Sequence, residues 1–173
     1  MMRYKPAALF AVLVQCALLA LTTLSGCSSR LDSNEFLAKA MQDGIWEIQT
    51  SHLAFQKSSD PDVKKFSTRM IDDHTKMDLE VVELAKISGA KLPQEITADQ
   101  KIKFDDMSKL SGHEFDKRYM QYNVHDHERQ VKAFSDQADK GSDVGVRAFA
   151  ARNLPVLKEH LQAAKGVYTK VQP

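Results

Sequence analysis

Apolar residues recur through positions 60–88 at Val63, Phe66, Met70, Met77, Val81 and Leu84. The steps of three, four, seven, four and three trace one stripe along a helix. His74 fills the middle of the seven-residue step, where the stripe calls for a Leu. Asp60 and Pro61 suit the cap and first position of this helix, and Ser88-Gly89 suits its end. At the standard rise the helix runs roughly 42 Å. Helices of that length with one wet face belong to bundles or coiled coils.

Three further long segments carry the same kind of stripe. Residues 33–57 place Leu37, Met41, Ile45, Ile48 and Phe55 on an apolar face, with Ala40, Gly44 and Ala54 on a small-residue flank and Glu47 beside it. Asp32 and Glu35 have capping-box spacing at its start. Ser58 to Pro61 is a tight connection, so the first two helices should be antiparallel neighbours. Pro93 marks residues 90–96 as loop, and Thr97 with Gln100 opens a short helix to about Leu110. Ser111 with Glu114 repeats the capping signal, opening a helix to about Lys140 striped by Phe115, Met120, Val124, His127, Val131, Phe134 and Ala138. After Gly141-Ser142 the last helix runs to about Val171 and buries Val146, Phe149, Ala150, Leu154, Leu157, Leu161, Ala164 and Tyr168. Pro155 falls inside it and predicts a kink or a split.

These segments predict an all-α four-helix bundle. The connector over 89–111 is long enough to travel the length of the bundle. It would make the second and third long helices parallel, as in ferritin-like folds with one long crossover.

That topology lets heights be compared. Glu47 lies 12 and His74 lies 15 residues from Ser59, at the end where the first two helices meet. At the same end, His127 lies 15 residues from Gly112 and His160 lies 11 from Val171. Four potential ligands on four helices therefore fall within about 6 Å of height. Two readings are open. A His on an apolar stripe is commonly a hydrogen-bonded core residue, and three at one height with a Glu suit a metal ion such as zinc, iron or copper. Met41, Met70, Met77 and Met120 offer soft copper ligands, though thioethers also fill core gaps. His52, His113 and His125 read as surface or flank residues; Asp72, Asp73 and Asp78 near His74 read as a solvated helix face, the alternative being that they orient His74. No nucleophile motif surrounds any Ser, so no catalytic residue is assigned.

The first 26 residues read as a leader rather than as fold. Arg3 and Lys5 precede an apolar run from Ala7 to Leu21, followed by Leu24-Ser25-Gly26-Cys27. A basic start, a short apolar core and small residues before a cut describe a secretory signal. The run is short for a membrane span of about 20 residues. The LSGC tetrad resembles the lipobox of bacterial lipoproteins, which implies lipid such as palmitate on Cys27. The alternative is a plain signal peptide with a chance Cys. The expected organisation is a signal peptide over 1–26, a lipidated Cys and short tether over 27–32, and the bundle over 33–173. Ser28 and Ser29 follow the Cys, where an Asp would resemble an inner-membrane retention signal, so the expected address is the periplasmic leaflet of the outer membrane. Net charge is +1 over 173 residues, which leaves no nucleic-acid footprint. With seven Gly there is no phosphate-cradling loop. Loss of Cys16 with the leader and lipidation of Cys27 would leave no free thiol.

Together the segments VKKFSTRMIDDHTKM, LSGHEFDKRYM, VHDHERQVKAF and ARNLPVLKEHL resemble the bacterial domain-of-unknown-function family numbered four-one-four-two, described as predicted outer-membrane proteins with a ferritin-like fold. His74, His127 and His160 match the recurrent His positions of that family, and Glu47 matches its first-helix Glu. The resemblance implies an envelope protein without an assigned activity, with a non-catalytic or stress-related role. Ferritin-like di-iron proteins carry Glu three residues before His. Ile71 and Leu157 stand at those places before His74 and His160, which argues against bridging carboxylates and di-iron chemistry.

Overall fold

A computed structural model describes residues 31–172. The expected signal peptide and Cys27 lie outside the described residues. Five helices follow in order: α1 Ser33–Lys57, α2 Pro61–Ser88, α3 Ala98–Ser108, α4 Gly112–Lys140 and α5 Val144–Lys170. Asp32 caps α1 by accepting from the Asn34 and Glu35 amides, and Asp60 caps α2 by accepting from Asp62 and Val63. Gly89 ends α2 in the left-handed region at φ 75°. Thr97 and Gln100 form a reciprocal capping box on α3.

Hydrogen bonds fix the direction of each helix. At one end, the start of α1 is tied to the α4–α5 turn: the Leu31 amide donates to the Lys140 carbonyl at 3.0 Å and the Ser142 amide to the Leu31 carbonyl at 3.0 Å. At the other end, the Lys57 ammonium donates to the Ser108 and Leu110 carbonyls, and Lys170 donates to Asp62. The connector over 89–111 therefore runs from one end of the bundle to the other, and α2 and α4 start at the same end. The tightest partnerships are α1 with α2 and α4 with α5, and thinner contacts join α1 to α4 and α2 to α5.

The core divides into two apolar halves. One gathers Val63, Phe66, Met70, Phe115, Tyr119 and Met120 toward the α1–α2 turn. The other gathers Leu37, Met77, Val81, Phe134, Phe149 and Leu157 toward the α4–α5 turn, with Phe134 and Phe149 ring centroids 5.7 Å apart. A layer of buried polar residues lies between them: Glu47, His74, Asn123, His127, Gln130 and His160.

Three sequence expectations need correction. The buried face of α1 is Gly44, Glu47, Ser51 and Ala54 with Leu37 and Met41, whereas Phe55 is exposed and Ile45 and Ile48 are half-buried. Close approach to α2 selects the small flank over the bulky one. Of the kink or split expected at Pro155, the split is absent, since α5 is continuous through it. Pro155 is exposed, so the hydrogen bond it deletes lies on the wet side. Ser111 makes no side-chain cap on α4.

Candidate metal centre

Each of the four long helices supplies one of Glu47, His74, His127 and His160 to the polar layer. His74 occupies the α2 stripe between Met70 and Met77. His127 lies between Asn123 and Gln130 on α4, and His160 between Leu157 and Ala164 on α5. Sequence spacing set His160 on the flank of its stripe, yet Asn153, Leu157, His160 and Ala164 form the true centre and His160 is fully buried. One ring nitrogen from each of His74, His127 and His160 lies within 4.8 Å of the others. The ring centroids are 5.7 Å apart for His74 and His127, 5.6 Å for His74 and His160, and 5.3 Å for His127 and His160.

Glu47 of α1 joins them from one side. Its Oε2 lies 2.6 Å from His74 Nε2 and its Oε1 lies 3.4 Å from His127 Nδ1. It is not within reach of all three rings at once, because the mutually close set contains the histidines alone. His74 and Glu47 thus form a buried ion pair, the carboxylate facing the ring nitrogen. His127 Nε2, His160 Nδ1 and Glu47 Oε1 are buried without a hydrogen-bond partner. Such orphans cost about 1–3 kcal/mol each when nothing meets them.

The remaining ring nitrogens of two histidines are held from behind. His127 Nδ1 meets the Asn123 carbonyl at 2.9 Å, which assigns the proton to Nδ1 and leaves a lone pair on Nε2. His160 Nε2 meets Asp73 Oδ2 at 2.9 Å, which leaves a lone pair on Nδ1. Asp73 is gripped in turn by Arg69 Nε at 3.3 Å. Outer partners of this kind fix tautomer and ring direction in metal-binding histidines. Asp73 thus orients His160 rather than His74, which the sequence could not resolve, and Asp72 is exposed.

Charge follows burial. Burial pulls His160 down to about 4 against the Asp73 hydrogen bond, and it pulls His127 down against the Glu47 charge. Both rings are neutral near pH 7 and offer lone pairs. Burial pulls His74 down too, but the Glu47 carboxylate prevails and raises it. Burial would raise Glu47, yet the His127 and His74 rings hold it at about 2.

Two features were missed from sequence. Gly44 sits mid-helix in α1 where an added Cβ would lie 2.0 Å from Asp78 Oδ1. Its missing side chain lets Asp78 lean into the layer, where burial raises its carboxyl to about 7. A Gly inside a helical pattern is the signal that marked this close approach. A cavity of about 10 Å³ beside His74, lined by Asp43, Asp78, Gln130 and Phe134, is about the size of one water. Asp43 also lines a groove of about 280 Å³ under the crossover, walled by Trp46, Tyr122 and Arg129. Met70 and Met120 are fully buried within the apolar half beyond the layer.

A family described as Domain of unknown function (DUF4142) matches residues 22–167. No curated protein matches the chain. The solved structure described as CopM in the Cu(II)-bound form is similar, with a TM-score of 0.68 at 14% identity, covering 82% of this chain and 98% of that one. At that identity the likeness shows a shared helical fold.

Proposed function

The chain belongs to the DUF4142 family, and we propose that it is a metal-binding protein of the cell envelope. A single transition-metal ion sits among His74, His127 and His160, with Glu47 as a neighbouring carboxylate ligand. The observation that carries this reading is the convergence of three buried ring nitrogens within 4.8 Å, with His127 Nε2 and His160 Nδ1 unpartnered and their rings fixed from behind by Asn123 and Asp73. Imidazole nitrogens bind zinc, copper, iron and nickel alike. Copper(II) is the favoured ion, supported by the copper(II) named for the structural neighbour. Metal–nitrogen bonds of about 2.0–2.1 Å place tetrahedral ligands roughly 3.4 Å apart. The three nitrogens are within 4.8 Å, so small side-chain movements close the set. With Ile71 and Leu157 where bridging carboxylates would stand, the site holds or delivers one ion rather than running di-iron chemistry.

The envelope setting rests on the leader and on Cys27. We read the protein as lipid-anchored through Cys27, facing the periplasm from the outer membrane, with the bundle in the ferritin-like arrangement. No described helix is long and apolar enough to cross a membrane. Labelling of cells with an alkyne fatty acid tests the anchor: wild-type protein labels and Cys27→Ser does not.

Metal analysis of the purified mature protein tests the centre, followed by melting with added copper(II), zinc(II) or iron(II). Binding to the folded state raises the melting temperature through linkage. The reading is abandoned if none of the three ions shifts the melting curve, or if His127→Ala leaves the shift intact.

A further inference from the structure

Apolar side chains are exposed at one end of the bundle, the end where the chain enters. Leu31 is 39%, Val144 69% and Ile87 86% exposed. They share one face. Leu31 pairs with Gly141, three residues before Val144, and Gly145 packs against Leu84, one turn before Ile87. Lys86 is paired with Glu83 at 2.6 Å and Lys140 lies 3.7 Å from Asp136, and Asp32, Asp139 and Asp143 are exposed nearby, so apolar side chains rather than a basic patch distinguish this end. The opposite end is different. Its surface carries Asp62, Lys65, Lys117 and Lys170, and its one large exposed hydrophobic, Phe55, lies under the Lys64 ammonium at 5.5 Å.

We propose that this end is a membrane-docking face, with Leu31, Ile87 and Val144 set into the headgroup boundary of a phospholipid bilayer. The occupant follows from the length of the tether. Four peptide steps separate Cys27 from Leu31, and four residues extend at most about 14 Å. Leu31 is pinned to the α4–α5 turn by two backbone hydrogen bonds of 3.0 Å. Ser33 Oγ strengthens the same junction, accepting from Gln137 Nε2 at 2.8 Å and from the Asp143 amide at 3.0 Å. A lipid on Cys27 therefore holds this end, and no other, against the bilayer. Apolar side chains at that depth gain burial. His74 lies 13 residues before Ile87 on the same helix, so the metal centre would stand about 20 Å above the headgroups.

The inference rests on lipidation in the cell, but its test need not. Cys27 is the only Cys of the mature chain and couples to a maleimide phospholipid. The mature chain is anchored in this way in vesicles of phosphatidylethanolamine and phosphatidylglycerol with brominated acyl chains. Trp46, the sole Trp, reports the middle of the bundle. Three variants move it, combining Trp46→Phe with Ile87→Trp, Val144→Trp or Phe55→Trp. The bromines quench Trp emission at 87 and 144, transfer of those rings out of water shifts their emission to the blue, and 55 and the wild-type Trp46 are unaffected. Unquenched emission at 87 and 144, or equal quenching at 55, overturns the docking face. Far-ultraviolet circular dichroism confirms that each variant is folded. Failure of fatty-acid labelling in cells would remove the natural anchor without touching this result.

Discussion

The apolar half around Phe134 and Phe149 and the polar layer around His127 are equally buried, and they are stabilised in opposite ways. In the apolar half, Leu37, Phe149 and Leu157 are fully buried and ask nothing of their neighbours but fit. In the layer, His74, His127, His160 and Glu47 are as dry, yet several of their ligand atoms meet no partner. The first region gains from burial and the second gives some of it back. A layer that costs stability in the bare protein implies a ligand that restores it.

Four measurements break or sharpen that contrast. The largest effect belongs to the apolar half: Phe149→Ala should cost about 3–5 kcal/mol in urea unfolding, equally with and without metal. A metal-dependent cost would place Phe149 in the centre and blur the division. Next comes pH. The folded value of His160 is about 4, below the ordinary 6.5. The unfolded chain then takes up its proton first, so stability present above pH 6.5 is lost as pH falls toward 4. His74 is raised and acts in the opposite sense, its contribution being lost as pH rises through its folded value. Comparison with His160→Gln isolates the first term: the gap between wild type and variant narrows between pH 6.5 and 4, by on the order of 3 kcal/mol. A constant gap refutes the assignment.

Metal comes third. At a hundredfold excess over the dissociation constant, copper(II) should stabilise the wild type by about 2.7 kcal/mol. His127→Ala should abolish that gain, and in the bare protein it should cost about 1–3 kcal/mol through the partners it strands. The smallest effect is at Gly44. Alanine there improves helix propensity by about 1 kcal/mol but meets Asp78 Oδ1 at 2.0 Å. Gly44→Ala alone should therefore gain nothing, while Gly44→Ala with Asp78→Ala should be the more stable of the two by thermal melting. Equal melting temperatures would show that Asp78 moves aside without cost.

The two regions also differed in how far the sequence revealed them. The α2 stripe was legible because the residues buried there are large and apolar at regular steps, and His74 stood out as the exception. The α1 face was not, because hydrophobicity pointed to Ile48 and Phe55 while packing chose Gly44, Glu47, Ser51 and Ala54. A helix that approaches its partner closely around a carboxylate buries small residues, and periodicity of large ones then gives the wrong rotation. The heights of Glu47, His74, His127 and His160 could be counted along the chain because long helices have a fixed rise. The partners behind them could not: Asp73 reaches across to His160 only because α2 and α5 are neighbours.

The division of the bundle into two close hairpins, α1 with α2 and α4 with α5, gives the ligand set a mechanical sense. Glu47 and His74 belong to one hairpin, His127 and His160 to the other. The proposed ion would be a clasp across the thinner seam, leaving only when the seam parts. Chelators added in rising concentration should then strip it at a rate that levels off at the opening rate of the hairpins. Such a clasp would make the ion's exit a movement of the whole molecule, slow for a passing scavenger and open to a partner that pries the hairpins apart.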